Sequence, residues 1–518
     1  MITTLLKHEL QNLLKSKRIY LTVLLFLLLF ISVFIVRTID YQKQINQYIE
    51  DVRITDSDLH NAINYSFLNP RAIQEPIMFS IFNEGFNYPR VVDIQFYTPI
   101  TVTFQLNEEN NLLYIENKQL DITFLITFFL SLFILLIAYD SINGEKQLGT
   151  LRVLMTYPIK RQTFILKKML GIFIFVAFVF TLPYIIALIS LMVIYASLLT
   201  INFFLCAFFY WFLVILFILF FSLLGIFISS CTKDPNRALV YSLLVWILFS
   251  IVLPISWEYI LSPKLYNDKL NILQQNYRDK YLQTYKIQHD DVPEDADIHN
   301  VGHILWNGDF YDNTVWGLHY TYDTHYRYQR YMYEVYFPAS REAELSIDEI
   351  YRKQINIENT KNWIFFFNPI VIFNNLSMKI TGNSRNDHLR FLHDSREVRD
   401  DLISLGSTEG WLFDYRFFAL YKEEHDLNPL WISMVEEFND DYDLFWDNWD
   451  YVWARIVEFR EQGEFYEMEI PHFRKYQQPH FTIAMIIPRI YSGMLMLVGS
   501  ILVLWVLTWN RFMKYDVR

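Results

Sequence analysis

Residues 138–171 read AYDSINGEKQLGTLRVLMTYPIKRQTFILKKMLG, and their position between two long apolar runs sets the organisation of the chain. Gly144, Gly149 and Pro158 divide the stretch, which predicts one or two short helices. Its six basic side chains are Lys146, Arg152, Lys160, Arg161, Lys167 and Lys168. Because the stretch is tied to membrane spans at both ends, we expect it to receive a push from a cytoplasmic partner and to pass that push to the spans.

The apolar residues of the chain are concentrated in runs of about 20, the length that crosses a bilayer core of about 30 Å. The sequence is 53% hydrophobic with a mean hydropathy of +0.16, so we predict an all-α polytopic membrane protein. The six predicted spans are residues 19–37, 122–139, 170–196, 203–229, 238–257 and 489–509. Their interiors carry almost no ionisable residues, which argues against an ion channel or proton-coupled carrier built from these helices alone.

The basic residues orient these spans. Four short segments hold 15 Lys and Arg against five Asp and Glu, and the positive-inside rule places such segments in the cytoplasm. They are residues 1–18, 139–168, 230–237 and 510–518. We therefore expect both termini and the coupling region, 140–169, to be cytoplasmic. Residues 38–121 and 258–488 are then extracytoplasmic.

Residues 1–18 place apolar side chains at helical spacing, with Lys7, Lys15 and Lys17 largely elsewhere on the helix. A basic amphipathic helix beside a span is expected to lie in the cytoplasmic membrane interface. The alternative is an ordinary helical extension of span one.

The extracytoplasmic segments are predicted to form one mainly helical domain with a small β element. A helix extends from Asp40 to about Ile54, and the alternating, β-branched residues 91–106 predict a short strand pair. Further helices are expected at residues 264–288, 326–337, 341–357, 384–403 and 429–463. Two apolar stretches, 363–367 and 370–373, are too short to span, and they lie either on the outer leaflet or in the core of this domain.

A family resemblance rests on Glu145-Lys-Gln-Leu-Gly149-Thr150-Leu151-Arg152, followed by Tyr157-Pro158, Arg161, Lys167 and Gly171. This pattern resembles the coupling-helix region of ABC-2 type transporter permeases. The amphipathic start, six spans and inside termini fit that family, and 230–237 corresponds to its second intracellular connection. The long outer region between spans five and six is similar to permeases that accompany nitrous-oxide reductase maturation. Asn368-Pro369, Leu376-Ser377, Gly382 and His388-Leu-Arg-Phe391 look like an outer motif of a poorly characterised branch.

The resemblance implies a permease subunit of the bacterial inner membrane that pairs with a second permease chain, identical or different. An ABC ATPase subunit would dock on each cytoplasmic face. The chain has no Gly-rich phosphate loop of the Walker type, so ATP and Mg are expected on the ATPase, with no cofactor on this chain. Its partners would be these subunits, membrane lipid and a periplasmic protein, with no nucleic acid. ATP hydrolysis by the ATPase would then drive either export or mechanical work on the periplasmic partner.

The resemblance also implies which residues contact the ATPase. Leu151, Leu154 and Met155 would fill a groove, with Arg152 and Glu145 making polar contacts. The full set is Glu145, Gly149, Thr150, Leu151, Arg152, Leu154, Met155, Tyr157, Pro158 and Arg161. The alternative is a loop whose basic residues reflect only the positive-inside rule and contact no ATPase.

Five of the twelve histidines fall between residues 289 and 325, among many carboxylates. Imidazole and carboxylate suit Zn, Cu or Ni. His299 and His303 have i, i+4 spacing but no accompanying Glu base, so we predict a solvated acidic loop and keep these two as the candidate metal ligands. No nucleophile arrangement is evident, and we expect no enzymatic activity. A receptor or structural membrane protein that binds a ligand outside, without an ATPase, is the alternative function.

Overall fold

We analysed a computed structural model of the chain. It describes residues 9–95, 120–154, 161–196, 201–257, 262–296, 322–417, 471–478 and 483–513, apart from short runs within 10–12, 63–69, 86–88, 233, 294–295 and 414–416, together with residues 437, 451 and 454.

Six of the described helices are long and apolar enough to cross a membrane, which confirms the predicted all-α polytopic fold. They are α1 (Lys17–Asn61), α2 (Ile122–Phe124, π-helical Leu125–Leu130 and Ser131–Ala138), α5 (Arg161–Ile194), α6 (Ile201–Cys231), α7 (Pro235–Ile247, π-helical Leu248–Val252 and Leu253–Ser256) and α12 (Ile483–Met513). Two short helices, α3 (Asn143–Gln147) and α4 (Thr150–Leu154), lie between α2 and α5.

Helix α6 is the centre of the membrane bundle, because α2, α5, α7 and α12 all pack against it. The approach of α6 to α2 requires glycine: a Cβ built on Gly225 would overlap the Ala138 side chain. Closer to the N-terminal end of α6, Tyr210 is fully buried and shares a hydrogen bond of 3.0 Å with Thr123. The bundle core is therefore built around one helix that contacts most of the others.

The part of the chain outside the spans is mainly helical. Its helices are α8 (Ser262–His289), α9 (Tyr322–Tyr331, π-helical Met332–Tyr336 and Phe337–Ile364), α10 (Pro369–Thr381) and α11 (Arg385–Glu409). Helices α8 and α9 pack along each other, and α9 contacts α11. The predicted helix at 429–463 lies almost entirely outside the described residues.

A small antiparallel sheet joins β1 (Arg71–Ile73) to β2 (Val91–Asp93), with Ala72 opposite Val92. The prediction of a strand pair within 91–106 therefore located one strand but missed its partner. The partner lies between two prolines, Pro70 and Pro76. Three residues are too few to show alternation clearly, and residues 96–106 lie outside the described part.

Helix α1 runs without interruption from the membrane into the extramembrane domain. Its last turn contributes Leu59 to a buried cluster with Leu402 of α11 and Trp411. The ring of Tyr65 stacks on Trp411 at 4.3 Å, and a Cβ on Gly406 would lie 2.6 Å from the same indole. The first span is thus one rigid piece with part of the domain core.

Buried ion pairs connect α9 to α11. Arg399 holds Glu344 through two hydrogen bonds of 2.6 and 3.0 Å, and Arg396 lies 2.8 Å from Asp348. One end of α11 is fixed by Arg385, which lies 2.6 Å from Glu358. Such pairs hold a fixed geometry because either charge would be costly to leave alone in the interior.

The apolar stretches at 363–367 and 370–373 form a hairpin tip that enters the level of the spans. Phe373 packs on Phe217 in the middle of α6, at 4.9 Å between ring centroids. The Asn368 amide donates to the Phe249 carbonyl of α7 at 2.9 Å while its oxygen caps α10 through Ile370 N. Thus 370–373 joins the bundle core, whereas Trp363 remains 67% exposed.

A second charged cluster lies where α1 and α2 meet the extramembrane domain. Arg37 is buried and lies 2.8 Å from Glu84. The Asp121 carboxylate caps the start of α2 by accepting from Phe124 N at 2.6 Å, and it also accepts from Glu84 N at 3.4 Å. Burial raises the pKa of Asp121 to about 6.

Candidate functional site

The coupling region folds as two short helices joined by a tight turn. The backbone N–H groups of Leu148 and Gly149 donate to Gly144 and Lys146 carbonyls, each at 3.0 Å, which ends α3. Gly149 has a φ of +74°, a conformation that favours glycine. The Thr150 hydroxyl donates to the Glu145 carbonyl at 3.1 Å. These bonds fix the direction of α4 relative to α3.

One side of this region is attached to the end of α6. The Ser229 hydroxyl accepts from Ile142 N at 3.1 Å and from Asn143 N at 3.4 Å. The buried Asn143 amide donates to the Thr232 hydroxyl at 2.8 Å. These bonds satisfy polar groups inside the protein and join α3 to the end of α6.

The other side is attached to α5 and to the N-terminal residues. Lys168 Nζ lies 2.8 Å from both carboxylate oxygens of Glu9 and also donates to Glu145 of α3. The Lys168 side chain is only 8% exposed. Gly171, one turn further along α5, is needed for this contact, since a Cβ there would lie 2.8 Å from Glu9 Cγ. We call the trio Lys168, Glu9 and Glu145 the lysine clamp.

A further contact ties the start of α5 to the end of α12. Arg161 donates to the Met513 carbonyl at 3.0 Å, and Phe164 stacks on Phe512 with centroids 5.8 Å apart. Through the clamp, the Ser229 bonds and this contact, the coupling region and its flanks connect to three of the six spans, α5, α6 and α12.

The residues predicted to contact the ATPase differ in their solvent exposure. Leu151 is fully buried in this chain's own core, whereas Gly149 and Thr150 are exposed at the turn. Arg152 and Leu154 lie on α4, but their side chains are outside the described part, as are Met155, Tyr157 and Pro158. Glu145 faces Lys168 inside the protein. Contact of these residues with an ATPase stays a prediction.

The exposed apolar residues of the region are ones that sequence reasoning did not select. Leu148 is 79% exposed and Val153 is 59% exposed. The sequence did contain one sign that Leu148 is exposed: it is a large apolar residue directly beside the glycine of a turn. The partners of Lys168 had no sequence signal, because Glu9 is 159 residues away.

Among the described residues, no group of three or more His, Cys, Asp or Glu side chains is placed to hold a metal ion. The candidate ligands His299 and His303 lie outside the described part. The two thiols, Cys206 and Cys231, are both free.

Comparison with known proteins identifies the family. The model of the ABC-2 family transporter proteins matches residues 3–517. The chain belongs to the ABC-2 transporter family. This finding confirms the resemblance that the residues from Glu145 to Arg161 indicated, and ABC-2 membership implies an ABC ATPase partner.

A local similarity points to one branch of the ABC-2 permeases. Over 50 residues the chain is 50% identical to a protein described as "Probable ABC transporter permease protein NosY" from Pseudomonas aeruginosa. The matched segment is 10% of this chain and covers 18% of that relative. The similarity supports the expected likeness to this branch.

Proposed function

We propose that this protein is the permease subunit of an ABC transporter, driven by ATP hydrolysis on separate ATPase subunits. The single observation that carries this proposal is the lysine clamp. It joins α3 to α5 and to the N-terminal residues, so a push on the α3–α4 turn reaches the spans. ATP and Mg belong to the ATPase, and this chain supplies the docking surface and the moving helices.

The docking surface in this proposal consists of Leu148, Gly149, Thr150 and Val153. The two large apolar side chains project from the turn and would be covered by the ATPase, while Leu151 holds α4 on the bundle. Arg152, Leu154, Met155, Tyr157 and Pro158 extend the same surface, as the family pattern implies. Arg161 serves on the inner side of this surface, where it holds α12.

The work done on the far side is mechanical in this proposal. Helix α1 is continuous from the membrane to Leu59 in the domain core, so movement of the first span moves that core. The Arg399–Glu344 and Arg396–Asp348 pairs keep α9 and α11 together during such movement. The target would be a periplasmic protein bound by the extramembrane domain.

We also propose a location and a stoichiometry for the complex. The basic coupling region and both termini face the cytoplasm of a bacterium, and the large domain faces the periplasm. Two permease chains and two ATPase subunits form the complex, without nucleic acid or a catalytic site on this chain.

Co-purification from membranes tests this proposal. The full-length chain should bring down an ABC ATPase, and Leu148→Asp combined with Val153→Asp should remove it without changing the elution volume of the permease. Ile49→Asp is the matched control, because Ile49 is 58% exposed on the opposite side of the membrane. Absence of any ATPase from the unmodified protein would contradict the proposal and favour the receptor-like alternative.

A further inference from the structure

A polar cavity of about 250 Å³ lies between the α9–α10 hairpin and α12. Its polar lining consists of Asn359, Asn362, Asn375, Lys379 and Ser492, and the Trp363 indole forms part of its wall. Pockets that enclose a whole drug-sized ligand measure about 300–1,000 Å³. This cavity is smaller, so it fits a single polar group such as a headgroup.

The charge of the cavity is positive. Lys379 is the one residue with a formal charge among the described residues that line it. Burial and the Arg489 guanidinium lower the pKa of Lys379, while Glu358 and Asp387 oppose that shift. Each of these carboxylates is held by an arginine. Arg385 lies 2.6 Å from Glu358 and Arg489 lies 2.5 Å from Asp387. The Lys379 ammonium is thus left to attract an anion from the cavity.

The donors in the cavity match an oxyanion. Asparagine amides and a serine hydroxyl donate hydrogen bonds, and an ammonium adds three charged donors. Hydrogen bonds from a charged donor to phosphate are about twice as strong as neutral ones. A phosphate group would therefore use most of the polar lining at once.

An apolar track leads from this cavity along α12. Met496 lines the cavity, and Gly499 and Val503 follow it at helical spacing on the same face. A Cβ built on Gly499 would meet nothing within 4 Å, and Val503 is 44% exposed. The track begins at the polar cavity and continues toward the middle of a span, which is the arrangement an amphipathic ligand requires.

We propose that the cavity binds the phosphate headgroup of a phospholipid, with an acyl chain lying on Met496, Gly499 and Val503. The exposed Trp363 ring, which forms part of the cavity wall, would contact the same lipid. The lipid would fill the gap between the hairpin and α12, and it would join them where Gly493 and Leu376 already pack closely. This site lies apart from the coupling region and does not depend on an ATPase.

Native mass spectrometry of the full-length protein, delipidated in detergent and then given phosphatidylglycerol, tests the proposal. Lys379→Gln should lower lipid retention about tenfold, because a charge-assisted hydrogen bond is lost. The control Lys43→Gln, at a lysine that is 72% exposed on α1, should retain lipid like the unmodified protein. Diacylglycerol, which has the chains but no phosphate, should be retained far less by the unmodified protein.

A second variant tests the acyl track independently of the charge. Gly499→Leu fills the open face of α12 and should lower phosphatidylglycerol retention while the variant keeps its elution volume and Tm. Millimolar inorganic phosphate should leave most of the lipid bound to the unmodified protein, and complete displacement would assign the site to free phosphate instead. Equal retention by Lys379→Gln and the unmodified protein, or equal retention of diacylglycerol and phosphatidylglycerol, would overturn the proposal.

Discussion

Lys168 on α5 holds the Glu9 carboxylate through two hydrogen bonds of 2.8 Å. The same ammonium pairs with Glu145 on α3, so one side chain connects three parts of the chain. Both carboxylates are largely buried, at 15% and 23% exposure. In the proposed mechanism, a movement of α3 is therefore shared by α5 and the N-terminal residues.

Replacing the lysine should uncouple these parts. Lys168→Met leaves two buried carboxylates facing each other, and we expect the free energy of unfolding to fall by about 3 kcal/mol. The ATPase should still co-purify, since the exposed turn is unchanged, but its rate should no longer depend on the permease. Thermal unfolding and ATPase assays of the complex measure the two effects.

The neighbouring Lys167 provides the control for this prediction. Lys167→Met removes a lysine from the adjacent position of α5 without touching the clamp, and it should preserve the dependence of the ATPase on the permease. Adding Glu9→Gln to Lys168→Met should restore part of the lost stability. Equal coupling in Lys168→Met and Lys167→Met would show that the clamp does not transmit movement.

Two leucines of the coupling region should respond oppositely to the same truncation. Leu151 is fully buried and Leu148 is 79% exposed. Leu151→Ala should cost about 2–5 kcal/mol of stability because it leaves a cavity. Leu148→Ala should change stability by less than about 0.5 kcal/mol but weaken ATPase binding. Chemical unfolding and co-purification check this pair, and a loss of stability only in Leu148→Ala would contradict the assignment.

The buried carboxylate at the start of α2 predicts a pH dependence. The pKa of Asp121 is raised by burial from 3.8 to about 6, so the folded protein binds this proton more tightly than the unfolded chain. The cost of the buried charge is therefore present above pH 6 and is relieved as the pH falls toward 4. The linkage amounts to on the order of 3 kcal/mol.

Asp121→Asn isolates the contribution of Asp121 ionisation to stability, because asparagine still accepts a hydrogen bond from Phe124 N but does not titrate. We expect the variant to gain stability relative to the unmodified protein at pH 7.5 and to lose that advantage at pH 4.5. Tm measured in detergent at the two pH values gives the difference. An identical Tm difference at both values would mean that Asp121 keeps its ordinary pKa.

The continuity of α1 predicts that a kink should disconnect the extramembrane domain. Ile49 is exposed within α1, and Ile49→Pro removes a helix hydrogen bond at a local cost of about 3 kcal/mol. Spin-label distances between the domain and the spans should change with nucleotide in the unmodified complex. They should stop doing so in Ile49→Pro, while ATP hydrolysis continues. Ile49→Ala should behave like the unmodified complex, and a nucleotide response that survives in Ile49→Pro would argue against α1 as the lever.

Much of the fold could be predicted from local sequence properties. The apolar runs located all six spans, since crossing a bilayer requires a run of fixed length. The helical pattern of residues 264–288, 341–357 and 384–403 located α8, much of α9 and most of α11. The pairing of β1 with β2 was missed because three-residue strands show almost no periodicity.

The packing of the two apolar stretches near residue 368 could not be predicted from local sequence. Their composition fitted both a leaflet surface and a domain core, and it gave no reason to separate the mostly exposed stretch 363–367 from the buried stretch 370–373. Only the packing of Phe373 on Phe217 places this segment against the middle of α6. Hydrophobicity gives the tendency to be buried but does not name the surface that buries it.

By itself, the sequence determined the six spanning helices and the family, because these depend on run length and short motifs. The tertiary structure alone decided how residues 138–171 pack. It buried Leu151, exposed Leu148 and brought Lys168 to Glu9 across 159 positions. Ion pairs and burial of this kind depend on how helices pack, and no periodicity within one segment encodes a partner in another.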